Sequence, residues 1–563
     1  LSVSALATNM RVRGGGAYYM LSRSLGVEAG AAVGIPLFLA QAISIAFYIA
    51  GFSEAVVALA PALDPRWVGL ATLVGLGLLA TFSADFTLRT QYGVMVLVVL
   101  SLASIFAGAA PESAAGVQTL PRLGFWPVLA VYFPAVTGIL AGVSLSGELA
   151  RPSRALPLGT LAAVGVSYLI YLALALFINH LSIASDVLIG DTMLIQKLAR
   201  VGLFVLLGLW AASLSSAVGC LLSAPRTLQA LANDRVVPLL LGKPYGRFRE
   251  PRLASALTVG IAAAGVYWGS LDVIAPVLTM FYLTTYGLLN LSAGLEELMA
   301  NPSWRPTFRV PAVVALAGFG ACVAIMLMIN AGAALVAFGC VLAVYWIMER
   351  RAMRARWGDM RLGVVMFALR KGLHRLAAQP LGGRNWRPNL LVLSGAPSRR
   401  WHLIEVAHAI SRNRSLMTVA SIIPEANWTA DRAESLRKSM LVYLEKARVE
   451  AHVRIQPGED HWAGIRDLIR AYGFGPLVPN TILLGAPAKA DSGAPLARLT
   501  RLIAASHRNL LIVKDEGGEA DDEAPVPTRL DVWWRGRPRN VAFMLAVACM
   551  VRRRSGRRAD LRL

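Results

Sequence analysis

Residues 131–149 read VYFPAVTGILAGVSLSGEL, an apolar run that Pro134, Gly138 and Gly142 interrupt. Proline removes a backbone donor and crowds the carbonyl four residues earlier, and glycine permits non-helical backbone. We therefore predict a helix that breaks near Thr137. Unwound backbone is tolerated at membrane depth only where it is packed in protein or lines a cavity. The break is thus a candidate binding site, with a simple proline kink as the alternative.

The composition around this run is that of a membrane protein. The chain has 563 residues, of which 56% are hydrophobic and only 16% charged, and a mean hydropathy of +0.56. A water-soluble globular protein of this size does not show such a balance. Apolar runs separated by short polar loops fill residues 1–348, which we predict to be a transmembrane domain. Ten spans are expected, near 28–59, 66–82, 91–109, 125–147, 158–178, 201–223, 253–269, 273–297, 310–329 and 332–348.

The formal net charge of +22 would suit a nucleic-acid-binding protein if the charges formed one surface. Most basic residues of the membrane half instead lie in alternate loops, as in the segment from Arg235 to Arg252. The positive-inside rule makes these loops cytoplasmic. With ten spans, the C-terminal domain is also cytoplasmic. We expect a multi-pass protein of the cell (inner) membrane, in contact with the lipid bilayer and with no nucleic acid as partner.

Polar residues on the faces of the predicted spans are the further candidates for a site. Gln41, Ser44 and Tyr48 share one helical face, which should point at the bundle interior or at a water-filled path. Tyr286 and Asn290 share another. For the first set the alternative is a helix–helix hydrogen bond, and for the second it is aromatic packing against a neighbour.

Two kinds of ion suit the residues at the predicted break and on the span near 201–223. Backbone amides at Gly138, Ile139 and Leu140 would open a second half-helix, whose N-terminus attracts an anion. The Pro134 carbonyl and the Thr137 hydroxyl offer oxygen to a cation. Ala212, Ser215 and Ser216 place two hydroxyls and a carbonyl on one face, a set that suits sodium, although serines also pack membrane helices closely.

The last third of the chain has the pattern of a soluble α/β domain. After a predicted linker at 349–388, short apolar runs such as NLLVLSGA (389–396), LMTVASII (416–423) and TILLGA (481–486) alternate with helical segments up to RLDVWW (529–534). This alternation predicts a mainly parallel sheet covered on both faces. Residues 540–551 are apolar but too few to span a bilayer, so we expect a buried helix there.

Several segments together resemble the cation-chloride cotransporter family of the amino acid-polyamine-organocation superfamily. They are GGGAYYMLSRSLGVEAG (14–30), IAFYIAGFSEAV (45–56), VYFPAVTGILAGVSLSGEL (131–149), SLSSAVGCLLSAPRTLQALANDRVVP (213–238) and NPSWRPTF (301–308). NWRPNLLVLSGAP (385–397) and RLDVWWRGR (529–537) continue the resemblance into the soluble domain. The resemblance implies an α-helical polytopic membrane protein with a five-plus-five inverted-repeat fold. It also implies that the family's first helix and most of its second precede Leu1.

The resemblance assigns a role to each candidate residue. It implies potassium binding at Tyr48, Pro134 and Thr137. It implies chloride binding at Gly138, Ile139, Leu140 and Tyr286, and sodium binding at Ala212, Ser215 and Ser216. The tandem serine is typical of the sodium-dependent members, and Tyr48 of those that carry potassium.

The function that the resemblance implies is electroneutral symport of sodium, potassium and chloride by alternating access. The alternatives are a potassium-chloride cotransporter, an amino acid permease and a non-transporting membrane scaffold. We expect no enzyme activity and no cofactor, and the four cysteines show no disulfide or metal-binding spacing. Domain 389–563 is expected to be regulatory, to form a homodimer and to be incomplete at its C-terminus. Short cysteine-free outer loops suggest a prokaryotic member.

Overall fold

The computed structural model describes residues 1–9, 15–82, 84–109, 124–144, 152–183, 187–188, 193–243, 251–299, 303–350, 360–378, 386–395, 400–487, 493–514, 529–533, 538–552 and 560–562. The chain divides into two compact units, Leu1–Phe367 and Ala368–Leu563. This division falls inside the segment predicted as a linker, and the linker itself contains a helix, Met360–Ala378.

The first unit is helical throughout the residues described. Its helices are α1 (Ser2–Asn9), α2 (Gly16–Ser24), α3 (Val27–Leu59), α4 (Pro65–Phe82), α5 (Ala84–Phe106), α6 (Phe125–Tyr132), α7 (Ile139–Ser144), α8 (Pro152–His180), α9 (Leu194–Leu198), α10 (Gly202–Asn233), α11 (Arg252–Trp268), α12 (Leu271–Met299) and α13 (Ala312–Arg350). Phe133–Val136 and Leu239–Gly242 form 3₁₀ turns.

Five of these helices in the described residues are long and apolar enough to cross a membrane, namely α3, α8, α10, α12 and α13. Shorter apolar helices occupy Pro65–Leu79, Thr90–Phe106, Phe125–Val136 and Arg252–Trp268. The two last predicted spans appear as one helix, α13, in which Asn330 has non-helical angles (φ −160°, ψ 102°). The predicted helical membrane domain is therefore confirmed.

Helix α3 lies at the centre of the unit. Its side chains Leu37, Ile45 and Ile49 are fully buried and belong to a core that also includes Leu140 of α7 and Leu278 of α12. Because α3 is enclosed by protein, it carries small residues at close contacts. At Gly34, for example, an added Cβ would meet the Tyr18 ring at 2.5 Å.

An ion pair fixes the end of α10. Asp234 follows the last helical residue, and Arg23 of α2 donates two hydrogen bonds to its carboxylate at 3.0 and 3.1 Å. The Tyr18 hydroxyl donates a third at 2.9 Å. The side chains of Arg23 and Asp234 are only 15% and 17% exposed, so the pair is far better shielded than a surface salt bridge.

The second unit contains a five-stranded parallel sheet. Its strands are β1 (Leu390–Leu393), β2 (Met417–Pro424), β3 (His452–Gly458), β4 (Thr481–Gly485) and β5 (Asn509–Val513), in the order β3-β2-β1-β4-β5. Leu390 pairs with Met417 on one side and Thr481 on the other. Helices α15 (Trp401–Ser411), α16 (Ala430–Lys446), α17 (His461–Ala471) and α18 (Gly493–Ala505) follow the strands, and buried clusters lie on both faces. The predicted α/β domain with a parallel sheet is confirmed.

Two details of this domain differ from the predictions. The RLDVWW segment does not join the main sheet: β6 (Arg529–Asp531) pairs in parallel with β7 (Asp560–Arg562) in a separate two-stranded sheet. The helix predicted as buried at 540–551 is α19 (Pro538–Arg552), and it is mostly half-buried. It packs one side against α15, where Arg412 donates to the Met550 carbonyl at 3.1 Å.

Candidate functional site at a broken helix

The helix breaks where the sequence predicts. Helix α6 ends at Tyr132, a 3₁₀ turn follows, and Thr137 is extended with φ −91° and ψ 179°. Gly138 adopts φ +112°, a left-handed geometry that favours glycine, and α7 begins at Ile139. Pro134 is the second residue of this turn, and it lacks the amide hydrogen that a continuing helix would need.

Side chains donate hydrogen bonds to three carbonyls at or next to the break. The Thr137 hydroxyl donates to the Pro134 carbonyl at 2.6 Å. The Tyr171 hydroxyl of α8 donates to the Ala135 carbonyl at 3.0 Å, and Thr279 of α12 donates to the Ala130 carbonyl at 2.7 Å. The break is thus held in place by two neighbouring helices and is not a simple kink.

A cavity of about 560 Å³ opens beside the break. Its lining combines α3, the broken helix, α10 and α12, and consists of Phe47, Tyr48, Val128, Val131, Tyr132, Pro134, Ala135, Thr137, Ser216 and Asp272. The structure therefore brings together all three residues of the expected potassium site and one of the expected sodium site.

The polar part of this lining is chemically suited to a cation. Tyr48 and Thr137 contribute hydroxyl oxygens, and the Tyr48 hydroxyl interacts with the Thr137 side chain. Pro134 contributes a carbonyl that accepts from both the hydroxyl and the backbone amide of Thr137. Hard oxygen donors of this kind suit alkali cations, and a hydroxyl can turn its lone pair toward an ion.

Asp272 is the carboxylate that the sequence analysis did not single out. It lies in the first turn of α12, lines the cavity and is close enough to Glu54 for the two charges to interact. A lone acid at the start of a predicted span was the available signal, but helix N-termini commonly carry acids for a structural reason. Only the fold shows that it lines the same cavity as Tyr48 and Thr137.

The expected chloride residues lie around the start of α7. Tyr286 of α12 lies near the backbone of Gly138, and its hydroxyl is buried with no hydrogen-bond partner among the described residues. A buried hydroxyl without a partner costs free energy. Ile139 and Leu140 form the first turn of α7, with Leu140 buried. A hydroxyl donor next to backbone amides can bind an anion.

The two serines of the expected sodium site have different surroundings. Ser216 lines the cavity, whereas the Ser215 hydroxyl donates to Gln91 of α5 at 2.5 Å. Ala212 is half-buried on the same helix, α10. The spacing predicted a shared face, but neighbouring residues of a helix point about 100° apart, so Gln91 could engage one serine and leave the other at the cavity.

The remaining polar candidates form helix–helix hydrogen bonds. Gln41 accepts from Thr227 at 2.9 Å and lies 3.4 Å from the Ser144 hydroxyl. Asn290 accepts from Ser2 at 2.5 Å. For these residues the structural alternative is the correct one.

Two family models match the chain. A model described as amino acid permease matches residues 1–392, and a model described as solute carrier family 12 matches residues 400–491. The first contains the broken helix and every candidate site residue. The second lies within the α/β unit.

Curated relatives align along most of the chain. The chain is 31% identical over 553 residues to the "Bumetanide-sensitive sodium-(potassium)-chloride cotransporter" of Manduca sexta, covering 86% of this chain and 52% of that protein. It is 30% identical over 553 residues to "Solute carrier family 12 member 2" of Homo sapiens, covering 86% and 46%. It is 28% identical over 576 residues to "Solute carrier family 12 member 1" of Mus musculus, covering 90% and 52%.

These names are those of transporters and not of enzymes. The chain spans about half the length of the curated relatives it matches. Both structural units have a counterpart in the matched families. The chain is a multi-pass membrane protein that belongs to the amino acid permease family and, within it, to the cation-chloride cotransporters.

Proposed function

We propose that the full-length protein is an electroneutral symporter of sodium, potassium and chloride. The observation that carries this proposal is the cavity at the helix break, where Tyr48, Pro134, Thr137 and Ser216 come together. One sodium, one potassium and two chloride ions would move no net charge. Alternating access would expose a site near the bilayer midplane to each side in turn.

We propose the following residue roles, which the lining of the cavity supports in part. Potassium would take the hydroxyls of Tyr48 and Thr137 and the Pro134 carbonyl as ligands. Chloride would accept from the Tyr286 hydroxyl and from amides at Gly138, Ile139 and Leu140. Sodium would bind at Ala212, Ser215 and Ser216. The cavity, the Tyr286 hydroxyl without a partner among the described residues, and the names of the relatives support these assignments.

Potassium-chloride cotransport without sodium is the second candidate. It is favoured by one contact, the hydrogen bond from Ser215 to Gln91, since a serine held by a neighbouring helix is less available to sodium. The two candidates share the potassium and chloride residues and differ only at α10.

The proposed arrangement in the cell follows from charge and family. The protein would lie in the cell (inner) membrane with its C-terminal α/β unit on the cytoplasmic side, as the basic loops indicate. This unit would form a homodimer. Crosslinking of the full-length protein in its native membrane, with and without this unit, tests the dimer: loss of the crosslinked dimer on removal of the unit supports it.

Tracer rubidium uptake into proteoliposomes of the full-length protein tests the function. External sodium and chloride are removed in turn. A requirement for both supports three-ion symport, and a requirement for chloride alone supports the second candidate. Uptake that needs neither sodium nor chloride would exclude both candidate functions and would favour an organic-substrate permease or a scaffold.

A further inference from the structure

Helix α14, Met360–Ala378, has an amphipathic pattern that the transport site does not use. Its sequence, MRLGVVMFALRKGLHRLAA, contains three arginines, one lysine and one histidine and no acidic residue. Val365, Met366, Leu369, Leu373 and Leu376 recur at helical spacing and form a stripe along one side. Arg370, Lys371, His374 and Arg375 fall on the opposite side.

The apolar stripe is exposed. Val365, Met366, Leu369 and Leu376 are 59%, 55%, 48% and 41% exposed in the structure. Four large apolar side chains in a row on one helix are more than the scattered surface residues that a water-exposed helix normally carries. Something other than water is therefore expected to cover the stripe in the cell.

The position of α14 in the chain limits what that cover can be. Helix α13 is 39 residues long and apolar enough to span a membrane. At its end Arg350 lies over the Trp346 ring at 3.5 Å. Tryptophan and arginine near the end of a span are typical of the interface between lipid and water. Residues 351–359 follow, and nine residues reach at most about 30 Å, so α14 begins within that distance of the end of α13.

We propose that α14 lies in the plane of the membrane and binds anionic lipid headgroups. The apolar stripe would enter the boundary between headgroups and acyl chains, and the basic side would meet the negative charge of the lipids. A helix with a polar face this basic does not cross the bilayer. Charge complementarity thus favours an anionic membrane over a neutral one and over a second copy of the chain, whose own α14 is equally basic.

Hydrogen exchange of the full-length protein in nanodiscs tests this inference. One set of discs contains phosphatidylcholine alone, and the other an equal mixture of phosphatidylcholine and phosphatidylglycerol. We expect amides within 360–378 to exchange at least about tenfold more slowly in the anionic discs. The exposed helix α16 should exchange equally in both.

A charge variant provides the decisive comparison. Arg370→Gln, Lys371→Gln and Arg375→Gln together should weaken anionic-lipid binding on the order of a hundredfold and remove the lipid-dependent protection. The matched control, Arg432→Gln, Arg437→Gln and Lys438→Gln on α16, removes the same charge from an exposed helix and should change nothing at α14. High salt should act like the α14 variant.

Two outcomes overturn the proposal. If residues 360–378 exchange at the same fast rate in both discs, the stripe has no lipid cover. If they are equally protected in both discs and in the charge variant, a protein surface covers the stripe. Because the experiment measures hydrogen exchange and not ion uptake, its result does not depend on which ions the protein transports.

Discussion

The hydroxyl oxygens of Ser44 and Tyr282 lie 3.0 Å apart and join α3 to α12. One turn further along α12, Tyr286 stacks on Tyr282 with ring centroids 6.0 Å apart, yet its own hydroxyl has no partner in the described part of the chain. Two tyrosines one turn apart on the same helix thus differ in whether the hydroxyl has a hydrogen-bond partner, which separates a structural hydroxyl from a candidate ligand-binding one.

Tyr286→Phe should weaken chloride binding without lowering stability. The variant removes a donor to the anion, for which we expect roughly a tenfold higher KM for chloride, equivalent to about 1.5 kcal/mol. It breaks no described hydrogen bond, so the thermal unfolding midpoint in detergent should stay the same or rise. Chloride-dependent rubidium uptake and a melting curve measure the two effects.

Tyr282→Phe is the matched control for this prediction. It removes the bond to Ser44, which should lower stability by about 1 kcal/mol, while the chloride KM stays near that of the wild type. If the two variants shift the chloride KM equally, Tyr286 has no special role in anion binding.

Gly138→Ala should destabilise the break for a conformational reason. An added Cβ at Gly138 meets no atom within 4 Å, but φ there is +112°. We expect a cost of about 1–3 kcal/mol for a non-glycine residue at such an angle and a loss of uptake. Gly142→Ala also meets no atom and lies within α7, so it should leave stability unchanged or raise it by up to about 1 kcal/mol. Equal effects of the two alanines would contradict the strained geometry.

Tyr48→Phe should raise the KM for rubidium about tenfold, since it removes one hydroxyl ligand worth about 1.5 kcal/mol. Tyr168→Phe, at a largely exposed position of α8, serves as the control and should not change uptake. An unchanged rubidium KM in Tyr48→Phe would mean that potassium binds elsewhere than in this cavity.

The two serines of α10 should respond differently to alanine. Ser216 lines the cavity, so Ser216→Ala should raise the sodium requirement severalfold. Ser215→Ala removes the bond to Gln91, and we expect lower stability, by about 1 kcal/mol, with a smaller change in sodium dependence. Sodium titrations of rubidium uptake compare them. A larger sodium effect for Ser215→Ala than for Ser216→Ala would show that the Gln91 contact is broken in the transporting state.

Asp234→Asn tests the anchor of α10. Arg23 would lose its carboxylate partner in a well-shielded place, and we expect a loss of roughly 2 kcal/mol in unfolding free energy. The exposed pair Arg437–Glu434 gives the comparison, where Arg437→Gln should leave the free energy of unfolding nearly unchanged. Chemical unfolding in detergent distinguishes the two, and similar losses would refute the shielding argument.

The sequence predicted the features that depend on local chemistry. Pro134 and Gly138 break a helix through their own backbone preferences, so the position of the break could be read directly. The alternation of apolar runs and helices after residue 389 likewise predicts a parallel sheet. The strand near 529 was misplaced because alternation alone does not say which strands pair.

The composition of the site could be predicted only in part. Tyr48 and Thr137 lie 89 residues apart, and only packing brings them to one cavity. The partner of Ser215, Gln91, and the position of Asp272 also depend on how α5 and α12 pack, for which helical spacing gives no signal. Sharing a helical face is therefore a necessary but not a sufficient sign of a shared site.

Coupled accumulation of rubidium tests the central claim most directly. Proteoliposomes of the full-length protein are given an inward chloride gradient, equal sodium and rubidium on both sides, and a membrane potential clamped at zero. We predict that rubidium transiently accumulates above its equilibrium level and that this accumulation disappears when sodium is omitted. In Tyr48→Phe, the same accumulation should require a higher rubidium concentration. Absence of accumulation, with protein correctly folded and inserted, would contradict symport through the cavity at the broken helix.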